Sequence, residues 1–577
     1  MIGLLAAVFT VLACWAVGHL VLPKVPYRDF VAVGVGLCVL IGTLFIAHVA
    51  HIVTPLLVLG LACLGVLALC CARVQCQWKP VLSWWKKRTF IERCCLLLFL
   101  VLVLLHALGA AAPAIDADGL GYHLLVPKVF NEQQGFVNVP WNMYAAWPLN
   151  FDFLYGVGLL FESQAYGRYM HFLFGVLTAV LVFFAGRKYY NDRVGILAGL
   201  MLYATPMVGV LSGTSYIDLY VMYFGCLSFF LVYEWKNEWL LPFLAGLFAG
   251  ALVGSKIVGF AFSIAFGAYF IYSSWKKQQL YSIVPFVSGA VLLSAPWLVK
   301  SYIMLGNPVW PFLYDVFGGA YWSSTAASAL AAEVGAGTQS YFLFPFYLTF
   351  FSEQFGEMGF IGAGYLCFVG IALLYRRTTF MKQALLFVVA HLFVFYFLLH
   401  QMRYIIFLFP LLAIVAASAL TVKWPKKVGN FLVGCFLLAV VLGLPFTVAY
   451  NGKSLPVALG FEERESYLAR NLPPYETIAW VNANTPADAK VYTSAEAWTF
   501  YLEREHMWGA PNRQALVDFG VIQTGGDLHA VLLEYGVTHY MRPHYLVVGE
   551  QDRIEQEFVE EHCTVLYDEA GTVCIVQ

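Results

Sequence analysis

The chain has 577 residues, of which 61% are hydrophobic and 12% charged, and its net charge is −1. A charged share about half the roughly 25% usual in soluble domains excludes a string of ordinary soluble domains, and the near-neutral balance gives no reason to expect a nucleic-acid partner. Many apolar runs reach the roughly 20 residues that cross a bilayer, so the composition points to a polytopic membrane protein.

Taken in chain order, the apolar runs give fourteen expected spans: 3–22, 30–50, 55–72, 94–113, 168–186, 194–211, 219–235, 240–255, 257–275, 281–299, 357–375, 384–400, 404–421 and 429–449. The first has neither a basic leader nor an A-x-A-like cleavage site and reads as a retained span. The thirteen cysteines are scattered, and no pair has the spacing of a zinc site. Cys70, Cys71, Cys76, Cys94 and Cys95 flank one basic loop and read as small lipid- or core-facing residues.

Lys and Arg in the short connections give the orientation. The basic connections are Lys24/Arg28, then Arg73 to Arg93 with Lys79, Lys86, Lys87 and Arg88, then Arg187/Lys188/Arg193, Lys236, Lys276/Lys277, Arg376/Arg377/Lys382 and Lys423/Lys426/Lys427. They alternate, which makes that side cytoplasmic. The opposite short connections carry only Lys256 and Arg403. The expected external parts are the loop 114–167, the turn carrying Asp218, the loop 300–356 and the tail from Tyr450.

The loop 114–167 carries Asp116, Asp118, Tyr122, His123 and Lys128, and the aromatics Trp141, Tyr144, Trp147 and Tyr155. Its mixture of apolar and aromatic residues suits helices lying in the membrane interface. In the loop 300–356, Gly306-Asn-Pro-Val-Trp-Pro311 is turn-rich, and Tyr341–Phe351 is apolar but too short to span. Charge rises after Asn451, and the pattern becomes that of a small α/β domain: a helix over Tyr475–Asn484, a strand over Lys490–Thr493, a helix over His529–Tyr535 stopped by Gly536, a strand over Val537–Met541 and a hairpin over Cys563–Gln577 turning at Glu569-Ala-Gly571. Cys563 and Cys574 either pair across that hairpin or pack unpaired.

The ionisable residues at the outer ends of spans form one set. Asp116 and Asp118 follow span 94–113, Asp218 opens span 219–235, and Lys256 lies in the turn after span 240–255. Lys300 follows span 281–299, and His400 and Arg403 sit between the spans 384–400 and 404–421. Each has a plain alternative: the cations snorkel to head groups, Asp218 complements its helix dipole, and His123 and His400 are interfacial. Their common side favours one function, because ionisable groups at membrane depth usually face a cavity and a partner. Acids opposite several cations suit a lipid-phosphate donor: the cations hold phosphate, and the acids take the acceptor's proton or bind a metal.

Several stretches together resemble the GT-C fold glycosyltransferases, the broad group of protein O-mannosyltransferases, aminoarabinose transferases and RgtA/B/C/D-like bacterial enzymes. They are Asp118-Gly-Leu-Gly-Tyr-His-Leu124 with Pro127-Lys128, Trp147-Pro-Leu-Asn-Phe-Asp152 with Leu154-Tyr155, Tyr216-Ile-Asp218, Gly254-Ser-Lys256, Pro296-Trp297 followed by Gly306-Asn-Pro-Val-Trp-Pro-Phe312, and Arg403-Tyr404. Tyr467-Leu-x-Arg470 and the stretch from Pro486 to Val491 fit as well, so the resemblance covers roughly residues 94–500. Two features depart from the pattern. The acidic motif of relatives is often two adjacent acids, whereas here Gly119 follows Asp118 and Asp116 lies two residues upstream. Relatives tend to have Glu where this chain has Asp152.

The resemblance implies an all-α polytopic membrane protein of GT-C type, with about 14 transmembrane helices and a small C-terminal soluble α/β domain. The expected divisions are 1–93 (additional N-terminal helices), 94–300 (core module with the external loop 114–167), 301–449 (external loop and C-terminal helices) and 450–577 (external domain). It implies an inverting transferase of the cell envelope, in the cytoplasmic (inner) membrane with its site facing outward. A polyprenyl-phosphate sugar is the donor, and a lipid, glycan or protein the acceptor. Asp118 would be the base, assisted by Asp116 or Asp218. Lys256, Lys300 and Arg403 would stabilise the phosphate leaving group, while Tyr122, His123 and Asp152 would line the substrate site. No organic cofactor is implied; if a divalent cation is used, Asp116, Asp118 and Asp218 are its candidate ligands. Trp141 and Trp147 either stack on sugar or belong to an interfacial belt. The competing readings are a transporter or flippase for a lipid-linked or polar solute, and an O-antigen ligase or polymerase.

Overall fold

The computed structural model describes residues 2–72, 83–256, 258–333, 341–356, 361–397, 401–494, 496–510, 513–544 and 550–577. Arg73, Cys76, Lys79 and His400 lie outside them. The described chain is mainly helical and ends in one small sheet.

In their described residues the expected spans fall largely on helix. Among the described residues nine helices are long and apolar enough to cross a membrane: Ile2–Val21, Arg28–Val49, Pro55–Ala72, Phe90–Ala111, Gln164–Tyr189, Leu280–Leu305, Thr379–Tyr396, Met402–Thr421 and Lys426–Gly452. Of the other expected spans, 240–255 and 357–375 fall on the shorter apolar helices Leu240–Val253 and Gly364–Tyr375, 219–235 on Asp218–Glu234 and 257–275 on Val258–Lys276. Residues 194–211 form two helices, Asp192–Tyr203 and Pro206–Leu211. The cause is Pro206, which has no N–H to continue the first helix and is preorganised to begin the next.

Local chemistry sets several boundaries. Thr89 and Glu92 close a capping box at the start of Phe90–Ala111: the Thr89 hydroxyl accepts from the Glu92 N–H at 3.3 Å, and the Glu92 carboxylate accepts from the Thr89 N–H at 2.9 Å. Small residues let other helices touch backbone to backbone. A methyl at Gly18 would run into the Ala32 carbonyl, and one at Gly36 into that of Cys14, so the first two helices form a tight hairpin.

The chain divides into two compact units. The first comprises Met1–Ala112, Pro148–Pro296 and Gly335–Leu459 and is the helical bundle. Within it, Met402–Thr421 is the most enclosed of these nine helices, whereas Pro55–Ala72 is mostly exposed.

The second unit comprises Pro113–Trp147, Trp297–Val334 and Gly460–Gln577. Its five-stranded sheet has the order β2-β1-β3-β5-β4, built from Lys490–Thr493 (β1), Glu505–Trp508 (β2), His539–Pro543 (β3), Cys563–Asp568 (β4) and Gly571–Val576 (β5). β2, β1 and β3 run parallel, and β5 pairs antiparallel with both β3 and β4. The helices Gly525–Glu534 and Glu550–His562 contribute Leu528, Leu532, Ile554 and Phe558 to a core shared with Tyr492, Met507 and Tyr540. A disulfide joins Cys563 and Cys574 across the terminal hairpin. The tail encloses the loop that carries the acidic motif. The Ala515 N–H donates to the Pro140 carbonyl at 2.7 Å, the Met143 N–H to Arg513 at 2.9 Å, and the Tyr501 hydroxyl to the Ala114 carbonyl at 2.9 Å.

Candidate active site

In the first unit, four of the sequence stretches singled out above are tied together. The turn before the Asp218–Glu234 helix contains the buried residues Ser212, Thr214 and Ser215. His171 accepts the Leu219 N–H on Nε2 at 2.9 Å, which satisfies one of the open donors of that helix end. Arg168, which sequence reasoning did not single out, is buried and donates to the carbonyls of Gly109, Ala112 and Gly213. It thereby joins the C-terminal end of Phe90–Ala111 to the Asp218 turn, a helix end where positive charge is favoured.

Asp218 and Lys256 form a buried ion pair at 3.3 Å, with side chains 2% and 6% exposed. Lys256 follows the Leu240–Val253 helix directly. That helix end is fixed by Asn150, whose N–H donates to the Gly254 carbonyl at 2.8 Å and whose side chain reaches the carbonyls of Ala251 and Leu293. Two residues on, the buried Asp152 begins the Phe153–Leu159 helix. From that helix the Tyr155 hydroxyl donates to the Tyr216 carbonyl at 2.6 Å, closing back on the Asp218 turn.

Two cations share one ring. The Lys256 ammonium lies 5.1 Å from the centroid of Tyr404, and the Arg403 guanidinium 5.4 Å from the same ring and 4.8 Å from that of Tyr216. All three distances allow cation–π attraction. Asp218 supplies one negative charge to this pair of cations, so the three residues carry a net charge of +1.

In the second unit, the acidic motif leads into a π-helical turn, Gly119–His123, a geometry frequent at functional sites. Asp116 is buried and Asp118 half-buried. The Tyr122 hydroxyl donates to Asp118 Oδ2 at 3.0 Å. Tyr122 in turn stacks on Tyr144 at 4.4 Å and packs against His123 and Trp147. Asn142 donates to the Gly121 carbonyl at 2.9 Å and fixes the turn from the other end of the loop. Lys128 points to the Phe500 carbonyl and ring. Trp141 packs on His506 and Trp508. Burial pushes the His506 imidazole down to about 4, while its ring N–H donor on Nδ1 meets the Arg504 carbonyl at 2.9 Å.

Lys300 belongs to this second unit. Its ammonium donates to the Ala145 carbonyl at 2.8 Å and lies 5.2–5.5 Å from the rings of Phe130, Phe136 and Trp297. It also lines a small cavity of about 20 Å³ together with Asn142, Trp310 and Tyr321.

The structure thus gathers Asp218, Lys256 and Arg403 in one unit, and Asp116, Asp118, Tyr122 and His123 in the other. Asn150, Arg168, Tyr404 and Asn142 were missed as functional residues. Asn150 and Tyr404 stand inside the quoted stretches, whereas nothing local marks Arg168 or Asn142. Among the described residues no group of three or more His, Cys, Asp or Glu side chains is placed to hold a metal ion.

A family model described as dolichyl-phosphate-mannose-protein mannosyltransferase matches residues 142–314. No curated protein matches the chain in sequence. Among solved structures, the fold is similar to apo ArnT from Cupriavidus metallidurans, with a TM-score of 0.57 and 15% identity over 83% of this chain and 97% of that one. The same enzyme bound to undecaprenyl phosphate gives 0.55 and 14% over the same shares. The Archaeoglobus fulgidus oligosaccharyltransferase AglB, in complex with an inhibitory peptide and a dolichol-phosphate, gives 0.48 and 13% over 83% of this chain and 74% of that one. The chain has the GT-C fold of ArnT, a multi-pass membrane fold.

Proposed function

We propose that this chain is an integral-membrane glycosyltransferase that moves a sugar from a polyprenyl-phosphate donor to an acceptor hydroxyl. The reaction takes place on the extracytoplasmic side of the cytoplasmic membrane. The acceptor is a lipid, glycan or protein. The observation that carries the reading is the buried Asp218–Lys256 pair with the half-buried Arg403 beside it, both cations on the ring of Tyr404. A buried ion pair is weak evidence for stability by itself; a second cation beside it is what binding an anion requires.

The step is a single displacement. The acceptor oxygen attacks the anomeric carbon, and the bond from that carbon to the phosphate oxygen breaks. The electron pair leaves with the polyprenyl phosphate, and attack opposite the leaving group inverts the anomeric centre. Lys256 and Arg403 neutralise the charge that grows on the phosphate, which is where preorganised cations contribute most. Asp218 is occupied with Lys256 and acts as its positioning residue. The proton of the acceptor hydroxyl passes to the carboxylate of Asp118, oriented by Tyr122, with Asp116 as its neighbour. Lys300 is a third cation of the proposal: one of its three N–H donors goes to Ala145, and it faces the cavity beside Asn142 and Trp310. No step is routed through a metal.

The reading is tested with purified protein in detergent and a radiolabelled polyprenyl-phosphate sugar. Release of free polyprenyl phosphate that depends on acceptor and on intact Asp118 is expected. Movement of the intact lipid-linked sugar across a vesicle membrane without any cleavage would replace this reading by that of a flippase.

A further inference from the structure

The helical bundle also contains an apolar groove lined by none of the residues of the proposed transfer site. The helices Phe90–Ala111, Gln164–Tyr189 and Asp192–Tyr203 pack on one another and leave an apolar groove between them. Its walls are Leu96 and Phe99 from the first helix, Val180 and Phe183 from the second and Leu200 from the third, and its empty volume is about 1130 Å³. It runs along the second helix from Ala179 to Arg187, a depth of about 12 Å at the helical rise of 1.5 Å per residue. That depth fits within one leaflet, half of a hydrocarbon core roughly 30 Å thick.

The mouth of the groove is polar and built. Asp192 accepts from Arg88 at 2.9 Å and from Arg187 at 2.8 Å, and the Trp84 ring N–H donates to it at 3.3 Å. The Arg88 guanidinium also lies 4.8 Å from the Trp84 ring. Two guanidiniums therefore share one carboxylate, and the mouth keeps one positive charge. Arg187 is half-exposed and itself lines the groove, so its charge stands where an apolar chain would end. Arg also offers a fork of donors that matches phosphate oxygens.

We propose that this groove binds one anionic glycerophospholipid, with an acyl chain between the three helices and the phosphodiester on Arg187 and Arg88. Charge complementarity selects this occupant. A phosphodiester carries one negative charge, which the surplus cation balances, and a zwitterionic head group brings its own cation to the same place. A single chain within one leaflet also suits a fatty acyl group better than a long isoprenoid. The site is independent of the proposed transfer reaction and of its donor.

The test uses the full chain in detergent, titrated with phosphatidylglycerol, phosphatidylcholine or polyprenyl phosphate and read by native mass spectrometry. One phosphatidylglycerol per chain should be retained in preference to phosphatidylcholine by about fivefold for each surface cation engaged. Arg187→Gln should remove most of that preference and leave apolar binding. Val180→Trp, which fills the groove at a half-buried position, should weaken both phospholipids. Neither residue belongs to the proposed transfer machinery, so sugar transfer by both variants serves as the check that they fold. Equal retention of the two phospholipids, a preference that survives Arg187→Gln in an active variant, or polyprenyl phosphate displacing phosphatidylglycerol would each overturn the proposal.

Discussion

Lys256 and Lys300 are both buried lysines, one in each unit, and their charges are compensated in different ways. Lys256 faces a carboxylate, shares a tyrosine ring with Arg403 and belongs to a cluster with a net charge of +1. Lys300 is met by one carbonyl and three aromatic rings. A carboxylate and a second cation on one ring hold Lys256 among full charges. A carbonyl dipole and ring quadrupoles hold a cation in a fixed place with weaker, diffuse compensation. In the proposal the bundle supplies Lys256 and Arg403, and the second unit supplies Lys300 and the proton acceptor Asp118.

The largest effect should come from Asp118. Asp118→Asn preserves size and the contact with Tyr122, so folding should survive while turnover at saturating donor falls by about 10²–10⁴, the usual worth of a general base. Donor affinity should stay within a small factor. A near-normal rate would move the base to Asp116, in the same loop, or to Asp218, and the latter would break the division drawn above.

Next comes the ion pair. Asp218→Asn leaves Lys256 buried without its carboxylate, and breaking one half of such a pair costs about 3–5 kcal/mol. Thermal or denaturant unfolding measures this. The double variant Asp218→Asn with Lys256→Met should regain most of the stability and still bind donor weakly. Recovery of donor affinity along with stability would show the pair to be structural alone.

The second unit should weaken in acid through His506. Its folded-state value of about 4 lies below the ordinary 6.5, with burial as the main cause and Lys128 adding to it. The unfolded chain therefore takes up a proton first as pH falls. The stability due to neutral His506 is complete above about pH 6.5 and is lost progressively down to pH 4, about 3 kcal/mol in all. His506→Gln should flatten that part of the stability profile. The smallest effect is expected at Lys300. Lys300→Met should cost about 1–2 kcal/mol for the lost hydrogen bond and ring contacts, and should weaken donor binding less than the Asp218/Lys256 double variant does.

How far the sequence reached can be seen element by element. Tyr475–Asn484 and Lys490–Thr493 were readable with their limits, because local pattern and breakers agree there. β2, Glu505–Trp508, was not: four residues without alternation become a strand only by parallel pairing with β1. The helix Glu550–His562 was hidden by its high polarity, since few of its residues, Ile554, Glu555, Phe558 and Val559 among them, turn inward. In the bundle, apolar length marked the helices but not the break at Pro206, which divides 194–211 into Asp192–Tyr203 and Pro206–Leu211. At the site, the order of Asp118, Asp152, Asp218, Lys256 and Arg403 was legible. The sharing of Tyr404 by two cations was not, nor the convergence of Phe130, Phe136 and Trp297 on Lys300, because ring contacts between distant stretches leave no local signal.

The most direct test of the central claim is a single reaction followed to completion. Purified chain, a polyprenyl-phosphate sugar of defined anomeric configuration and an accepting extract are combined, and the glycosylated product and the released lipid are quantified together. The account predicts one polyprenyl phosphate for each sugar transferred, and an anomeric configuration by NMR opposite to that of the donor. A product that keeps the donor's configuration, or sugar transferred without release of polyprenyl phosphate, would contradict it.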